Sequence, residues 1–364
     1  MARFAWVPAG CLGLGSRYHI QPEGPVGTGR TRGSAAGRNV TVRHRTFGRL
    51  GWQVGELGYG MWGMGEWTGS NDKQSMAAMQ LAVDKGVNFF DTAQSYGDGH
   101  SEQLLGMLMS GHRGQRVFAT TKVPPMNRQW PSRRGVPFAE VFPRAYVRQY
   151  VDTSRSNLGI DTIDLLQLHV WEDSWLDRGE LAQTVAELKR EGSIRAFGMS
   201  LNRWEPWNGI RAVKSGLVDA VQVIYNIFEQ APEDELFPAC RENKVAVIAR
   251  VPFDEGTLIG NLTRDTTWPE GDWRNSYFVP ENLNASVVHA NALKPLVPAG
   301  MTLADVALRF ILANQDVSVV IPGMRTIDHV EANTAACEAG PLSPEMVSSL
   351  RAHRWDREPT DWSQ

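Results

Sequence analysis

The chain has 364 residues, 42% of them hydrophobic, and a formal net charge of −3, long enough for one large barrel or two ordinary domains. Its body carries no basic run of the kind a nucleic-acid binder shows, and no apolar stretch approaches the roughly 20 residues that span a bilayer. The three cysteines, Cys11, Cys240 and Cys337, lack CxxC spacing and are too few for a disulfide framework, which argues against a zinc site and favours a reducing, cytoplasmic setting.

Residues 1–43 differ in texture from the rest. They hold six arginines (Arg3, Arg17, Arg30, Arg32, Arg38 and Arg43) against one acid, Glu23, with many glycines, and no period of 2 or 3.6 is sustained. The apolar run 4–7 is too short for a signal peptide and is interrupted by Pro8. The expectation is a disordered extension with no catalytic role, followed by one domain over 44–364. Residues 46–54 then read as two short strands around Gly48 to Gly51, a hairpin suited to closing the bottom of a barrel.

From there, strands and helices alternate. Near-continuous apolar runs predict buried parallel strands at 57–61, 87–91, 117–122, 163–169, 194–200, 220–225, 245–250 and 318–322. Helical patterns fall at 73–85, 102–110, 138–158, 180–191, 204–215, 232–242, 303–314 and 327–338. Leu303, Val306, Ala307, Phe310 and Ile311 give the clearest core-facing stripe. Eight such units in succession predict an α/β fold of the (β/α)8 TIM-barrel type rather than a doubly wound sheet. Gly60, Gly63 and Gly65 are not a dinucleotide fingerprint, because they lead into a Trp-containing loop and not into a helix.

Three of these strands end in reactive groups. Asp91 closes the second, with Tyr96 five residues on in a glycine-bounded turn; Lys122 closes the third and His169 the fourth. A parallel barrel builds its active site from such strand ends. Taken singly, each residue has a structural reading: a packed tyrosine, a helix-capping aspartate, a surface lysine, a core histidine. Together they suit proton transfer to a carbonyl oxygen. A tyrosine with its ordinary pKa of about 10 is a poor acid unless a neighbouring ammonium stabilises the phenolate. Lys122 would be that cation and Asp91 its anchor, with His169 meeting the same oxygen. Asp164, five residues before His169, reads as structural.

This constellation closely resembles the catalytic tetrad of the aldo-keto reductases, and the resemblance runs from about Arg45 to about Arg354. It implies hydride transfer from NADPH, with NADH possible, to a small-molecule carbonyl substrate. It also implies cofactor contacts. Ser200 matches the serine that holds the nicotinamide carboxamide, and Asn202 stands one residue beyond the expected asparagine, where Leu201 is found instead. Gln222 matches the glutamine on the same carboxamide. Arg250 occupies a position where the family usually has an aromatic stacking on the nicotinamide; a guanidinium is also planar, but it brings a charge. The loop through Gly256 resembles the strap over the pyrophosphate, and with Asp254 and Glu255 nearby, backbone N–H groups would have to do the binding. Arg325 and Asn333 match residues that bind the adenosine 2′-phosphate and the adenine.

Specificity would lie in the loops, which are rich in tryptophan. Trp62 and Trp171 are the expected pocket residues, with Trp67 and Trp362 among the further aromatics. Other readings remain open at this stage: a cofactor-binding regulatory subunit of the channel-β type, a sugar or polyol dehydrogenase working oxidatively, or a metal-dependent barrel hydrolase, for which only His169 is available. No metal, nucleic acid or membrane partner is expected. Substrate identity and oligomeric state are not legible.

Overall fold

The computed structural model describes residues 42–65, 69–112, 114 and 116–360. The expected extension therefore lies, up to residue 41, outside the described residues, as do Trp67 and Trp362. Two strands, β1 (His44–Phe47) and β2 (Trp52–Gly55), pair antiparallel as the predicted hairpin. Eight more form one parallel sheet in sequence order: β3 (Tyr59–Gly60), β4 (Phe89–Asp91), β5 (Phe118–Val123), β6 (Ile163–Leu168), β7 (Ile194–Ser200), β8 (Ala220–Ile224), β9 (Ala246–Arg250) and β10 (Val319–Val320). Parallel bridges Leu57–Val320 and Gly60–Gly323 join the first strand region to the last. A Cβ on Gly60 would stand 2.6 Å from the Ile321 carbonyl oxygen, so only glycine permits that approach.

The helices are α1 (Asp72–Asp84), α2 (His100–Gly111), α3 (Phe138–Val141), α4 (Arg144–Leu158), α5 (Glu180–Arg190), α6 (Ile210–Ser215), α7 (Leu236–Asn243), α8 (Arg274–Tyr277), α9 (Pro280–Leu293), α10 (Leu303–Ala313), α11 (Ile327–Glu338) and α12 (Pro344–Arg351). α10 begins with a capping box in which Thr302 and Asp305 satisfy each other's backbone N–H groups, and the whole predicted stripe is buried. Three expectations need correction. The single helix over 138–158 is two, because Pro143 holds Phe142 out of the helical region. The helix expected over 204–215 begins only at Ile210, after a turn containing Pro206 and Gly209. Helices α8, α9 and α12 fall where no helix was predicted.

Strand periodicity divides the barrel interior into layers. At the bottom, Phe89, Phe118, Leu165, Ala196, Ala220, Ala246, Ile248 and Val319 form an apolar cluster plugged by Phe47 and Val54 of the hairpin. Phe47 packs on Phe89 at 5.3 Å and Trp52 stacks on Phe118 at 5.0 Å, ring centroid to centroid. Two or four residues further along the same faces the interior turns polar: Asp91, Lys122, Gln167, Ser200, Gln222 and Arg250. The site is the top of that gradient.

Candidate active site

Lys122 is the centre of the arrangement. It is 1% exposed, and a buried ammonium persists only when its donors find partners. Nζ donates to Asp91 Oδ2 at 2.5 Å, to the Thr92 carbonyl at 2.9 Å and to the Tyr96 hydroxyl at 3.3 Å. Burial works against its charge, but Asp91 and then Tyr96 outweigh it and hold the Lys122 pKa above the usual lysine value. Asp91 is held in turn by two amides on its other oxygen: Gln167 Nε2 at 3.1 Å and Gln222 Nε2 at 2.8 Å. Gln167 also donates to Thr120 Oγ1 at 2.9 Å.

Tyr96 is delivered by the turn that follows β4. Its N–H donates to the Ala93 carbonyl at 3.0 Å, and its own carbonyl accepts from Ser101 N at 3.2 Å as α2 begins. The β3–α1 loop braces the turn, since a Cβ on Gly65 would stand 2.7 Å from the Tyr96 carbonyl carbon. Burial raises the phenol pKa while Lys122 pulls it down; the net shift is upward, so the hydroxyl keeps its proton. His169 lies edge-on to Tyr96, 5.7 Å between ring centroids, with Nδ1 3.4 Å from Ser95 Oγ. Burial, followed by the charges of Lys122 and Arg250, lowers its pKa well below the ordinary value, so the imidazole is neutral. The structure thus brings Asp91, Tyr96, Lys122 and His169 together.

Of the expected cofactor residues, Ser200, Gln222 and Arg250 lie on adjacent strands of the barrel. Ser200, the last residue of β7, is the register partner of Gln222, the middle residue of β8. Asn202 uses its side-chain oxygen to accept from Trp204 N at 3.2 Å. Arg250, at the top of β9, donates from Nη2 to the Leu201 carbonyl at 3.2 Å, and its Nε is buried without an acceptor. In the strap, Asp254, Glu255 and Gly256 are successive left-handed residues, with φ of 47°, 56° and 109°. The Gly256 N–H is taken by the Phe253 carbonyl at 2.9 Å. Arg325 runs along the β3–α1 loop, where a Cβ on Gly63 would meet its Cδ at 2.8 Å. Thr326 caps α11, and Asn333 is buried within that helix.

Trp62 is 42% exposed and leans on Trp273 at 5.2 Å. Trp171, also expected in the pocket, lies in the interior. It is 2% exposed, bonded through its indole N–H to Asp173 at 2.8 Å and packed on Trp175. Trp130 stands beside the tetrad, 41% exposed and edge-on to His169 at 5.8 Å. Sequence reasoning also passed over Gln167 and Thr120, which strand alternation places directly below His169 and Lys122. Asp164 is structural as read, accepting from Ala119 N at 3.0 Å and pairing with Arg116.

A second polar assembly flanks the site. Asp254 is fully buried, 2.5 Å from Arg357 and 3.6 Å from Arg203; Glu229 lies 3.0 Å from Arg357 and 3.4 Å from Arg203. The Tyr277 hydroxyl accepts from both guanidiniums. Asp254 therefore faces this cluster, where two guanidiniums meet its charge.

Comparison with known proteins finds relatives over most of the chain. A family model described as the aldo/keto reductase family matches residues 56–354. The chain is 31% identical over 300 residues to the NADH-specific methylglyoxal reductase of Escherichia coli, covering 78% of this chain and 90% of that one. It is 29% identical over 299 residues to the aldo-keto reductase YhdN of Bacillus subtilis, covering 80% and 87%. Among solved structures, the holo form of an aldo-keto reductase from Bacillus halodurans matches with a TM-score of 0.68 and 27% identity, over 89% of this chain and all of that one. An aldo/keto reductase from Klebsiella pneumoniae in complex with NADP and acetate matches with a TM-score of 0.63 and 25% identity, over 87% and 98%.

Proposed function

The chain belongs to the aldo/keto reductase family, and from that membership we propose that it reduces an aldehyde or ketone to the alcohol with NADPH, Tyr96 supplying the proton. The observation that carries this reading is the buried Lys122 ammonium bonded at once to Asp91 and to the Tyr96 hydroxyl.

The residues present suit a nicotinamide dinucleotide. The orphaned Arg250 Nε, the Ser200 hydroxyl and the side-chain oxygen of Gln222, whose nitrogen is given to Asp91, supply polar atoms at the tetrad, and Arg325 supplies a cation beyond it. When bound, the cofactor provides the hydride, which no side chain can. The chain's own part is proton transfer and charge stabilisation. Tyr96 holds its proton in the resting site and gives it up as negative charge grows on the substrate oxygen. Lys122 lowers the cost of the phenolate that results, acting where little water screens it. Neutral His169, with Nδ1 turned to Ser95, has Nε2 to offer the same oxygen. Asp91, fixed by two glutamine amides, keeps Lys122 from following the departing proton.

Arg325 supports NADPH over NADH, because a guanidinium recognises a 2′-phosphate that NADH lacks. The E. coli relative is named for methylglyoxal, a 2-oxoaldehyde, so small dicarbonyls head the substrates to test. The direct experiment follows NADPH oxidation at 340 nm with a panel of aldehydes, ketones and oxidised sugars. Binding of NADPH without turnover of any carbonyl would turn the reading toward a regulatory subunit.

A further inference from the structure

Two cations stand at the top of the barrel interior, and they differ in how their charge is met. Lys122 is neutralised by Asp91 at 2.5 Å. Arg250 follows Ala246 and Ile248 on the inward face of β9, gives one N–H to the Leu201 carbonyl, and leaves Nε buried without an acceptor. Among the described residues no carboxylate forms an ion pair with it. We propose that Arg250 makes the site favour the reduced cofactor over the oxidised one, and so biases it toward carbonyl reduction and rapid release of the spent cofactor. This inference rests on the nicotinamide-dependent reading above.

Carbonyl reduction takes a hydride, with its electron pair, from the dihydronicotinamide and a proton from Tyr96. The C=O π bond is replaced by C–H and O–H bonds, and the ring left behind carries a positive charge. That ring must reach a carbonyl carbon whose oxygen is held by Tyr96 and His169. Arg250 acts electrostatically on both of those residues, so the ring stands within its field as well. The acids that Arg250 itself feels are Glu255 and Asp91. Asp91 is committed to Lys122, and burial raises the Glu255 pKa, which weakens it as a counter-charge. Arg203, itself paired with Asp254 and Glu229, is the largest of the charges that Arg250 feels, and it is positive. A pyridinium thus meets an uncompensated cation where the neutral dihydropyridine does not. Like charges several ångströms apart in a poorly hydrated site oppose binding by about tenfold or more. The overall equilibrium of the reaction is untouched; the balance between the bound cofactor forms moves.

The test is the ratio of dissociation constants for NADP+ and NADPH, read from tryptophan fluorescence quenching or calorimetry in the absence of substrate. In Arg250→Met the ratio should fall by about tenfold, chiefly through tighter NADP+, while Arg250→Lys should keep the ratio of the unaltered chain. Arg250→Gln removes the charge but retains a donor for Leu201, and decides the matter if the methionine variant fails to fold. A ratio unchanged within about twofold in both neutral variants would overturn the role of Arg250 alone. An unaltered chain that binds neither NADPH nor NADP+ would overturn the nicotinamide reading, and this inference with it.

Discussion

Gln222 Nε2 donates to Asp91 Oδ1 at 2.8 Å, across 131 residues of sequence. The glutamine that the family resemblance assigns to the cofactor thus already serves the carboxylate that anchors Lys122. A hydrogen bond to a charged group contributes about 1.5–3 kcal/mol. Gln222→Leu should cost that much in chemical denaturation and should lower kcat, because Asp91 then keeps only Gln167 on that oxygen. Weaker cofactor binding with unchanged stability and kcat would instead assign Gln222 to the cofactor alone.

Tyr96 and Lys122 should fail in distinguishable ways. Tyr96→Phe removes the proton donor but leaves the buried ion pair, so it should fold and bind NADPH while losing carbonyl reduction by about two orders of magnitude or more. Lys122→Met should also abolish reduction, and it should destabilise the protein by about 3–5 kcal/mol as well, since Asp91 is left buried without its cation. Near-normal turnover in either variant, measured by NADPH oxidation, would remove the proton-transfer scheme.

Much of this site was readable because strand alternation is rigid. Once 117–122 is taken as a strand, Phe118, Thr120 and Lys122 must share a face, and the same holds for Leu165, Gln167 and His169. β7, read from its near-continuous apolar run, has the ends expected of it, 194 and 200. The flanking cluster was not readable. Arg203, Glu229, Asp254 and Arg357 come from four loops, and Arg357 reaches Asp254 across 103 residues. Charged residues in irregular segments ordinarily face water, and nothing local marks these four as buried. α9 was legible and overlooked: Leu283, Val287, Ala290 and Leu293 recur at helical spacing after Pro280, which is suited to a first helical turn. The break in 138–158 was likewise marked by Pro143.

The proposed preference for NADPH rests on Arg325. A charge-assisted bond to phosphate contributes about 1.5–3 kcal/mol, so Arg325→Ala should weaken NADPH by about tenfold or more and leave NADH nearly unchanged. Direct titration of both cofactors checks this. Equal losses would mean that Arg325 serves the structure, through its packing on the Gly63 turn, and not the 2′-phosphate.

His169 should leave a mark on acid stability. Its folded pKa is depressed by burial first, then by Lys122 and Arg250, whereas in the unfolded chain it titrates near the usual value of about 6.5. The unfolded state therefore binds the extra proton over the interval between those two values. The contribution is fully present above about pH 6.5 and is lost as pH falls toward the folded pKa. Denaturant midpoints taken at about pH 7.5 and about pH 5.5 should thus drop less for His169→Gln than for the unaltered chain. The rate of carbonyl reduction should show no inflection from His169 between about pH 6 and pH 8. An equal acid-induced drop in both proteins would show that His169 is not held neutral by its surroundings.

Arg357 tests the cluster beside the strap. It enters from the segment after α12, is 3% exposed at its side chain, and pairs with both Asp254 and Glu229. Trp355 helps to seat it, stacking on His289 at 4.0 Å and donating its backbone N–H to the Phe228 carbonyl at 2.9 Å. Removing one partner of a buried ion pair costs about 3–5 kcal/mol, because the other charges stay buried. In Arg357→Met, Asp254 keeps only Arg203 at 3.6 Å, and two carboxylates then share one cation. The global stability should fall by roughly that amount, and the strap residues Asp254, Glu255 and Gly256, already held at positive φ, should lose protection first. Hydrogen exchange followed by mass spectrometry would register faster exchange in the peptide spanning 251–260, and the bound cofactor should dissociate faster in stopped flow. A second substitution, Asp254→Asn in the Arg357→Met background, lowers the unpaired negative charge and should recover part of the stability. No recovery, or a strap that exchanges as slowly as before, would show that the cluster fills space without fastening the strap.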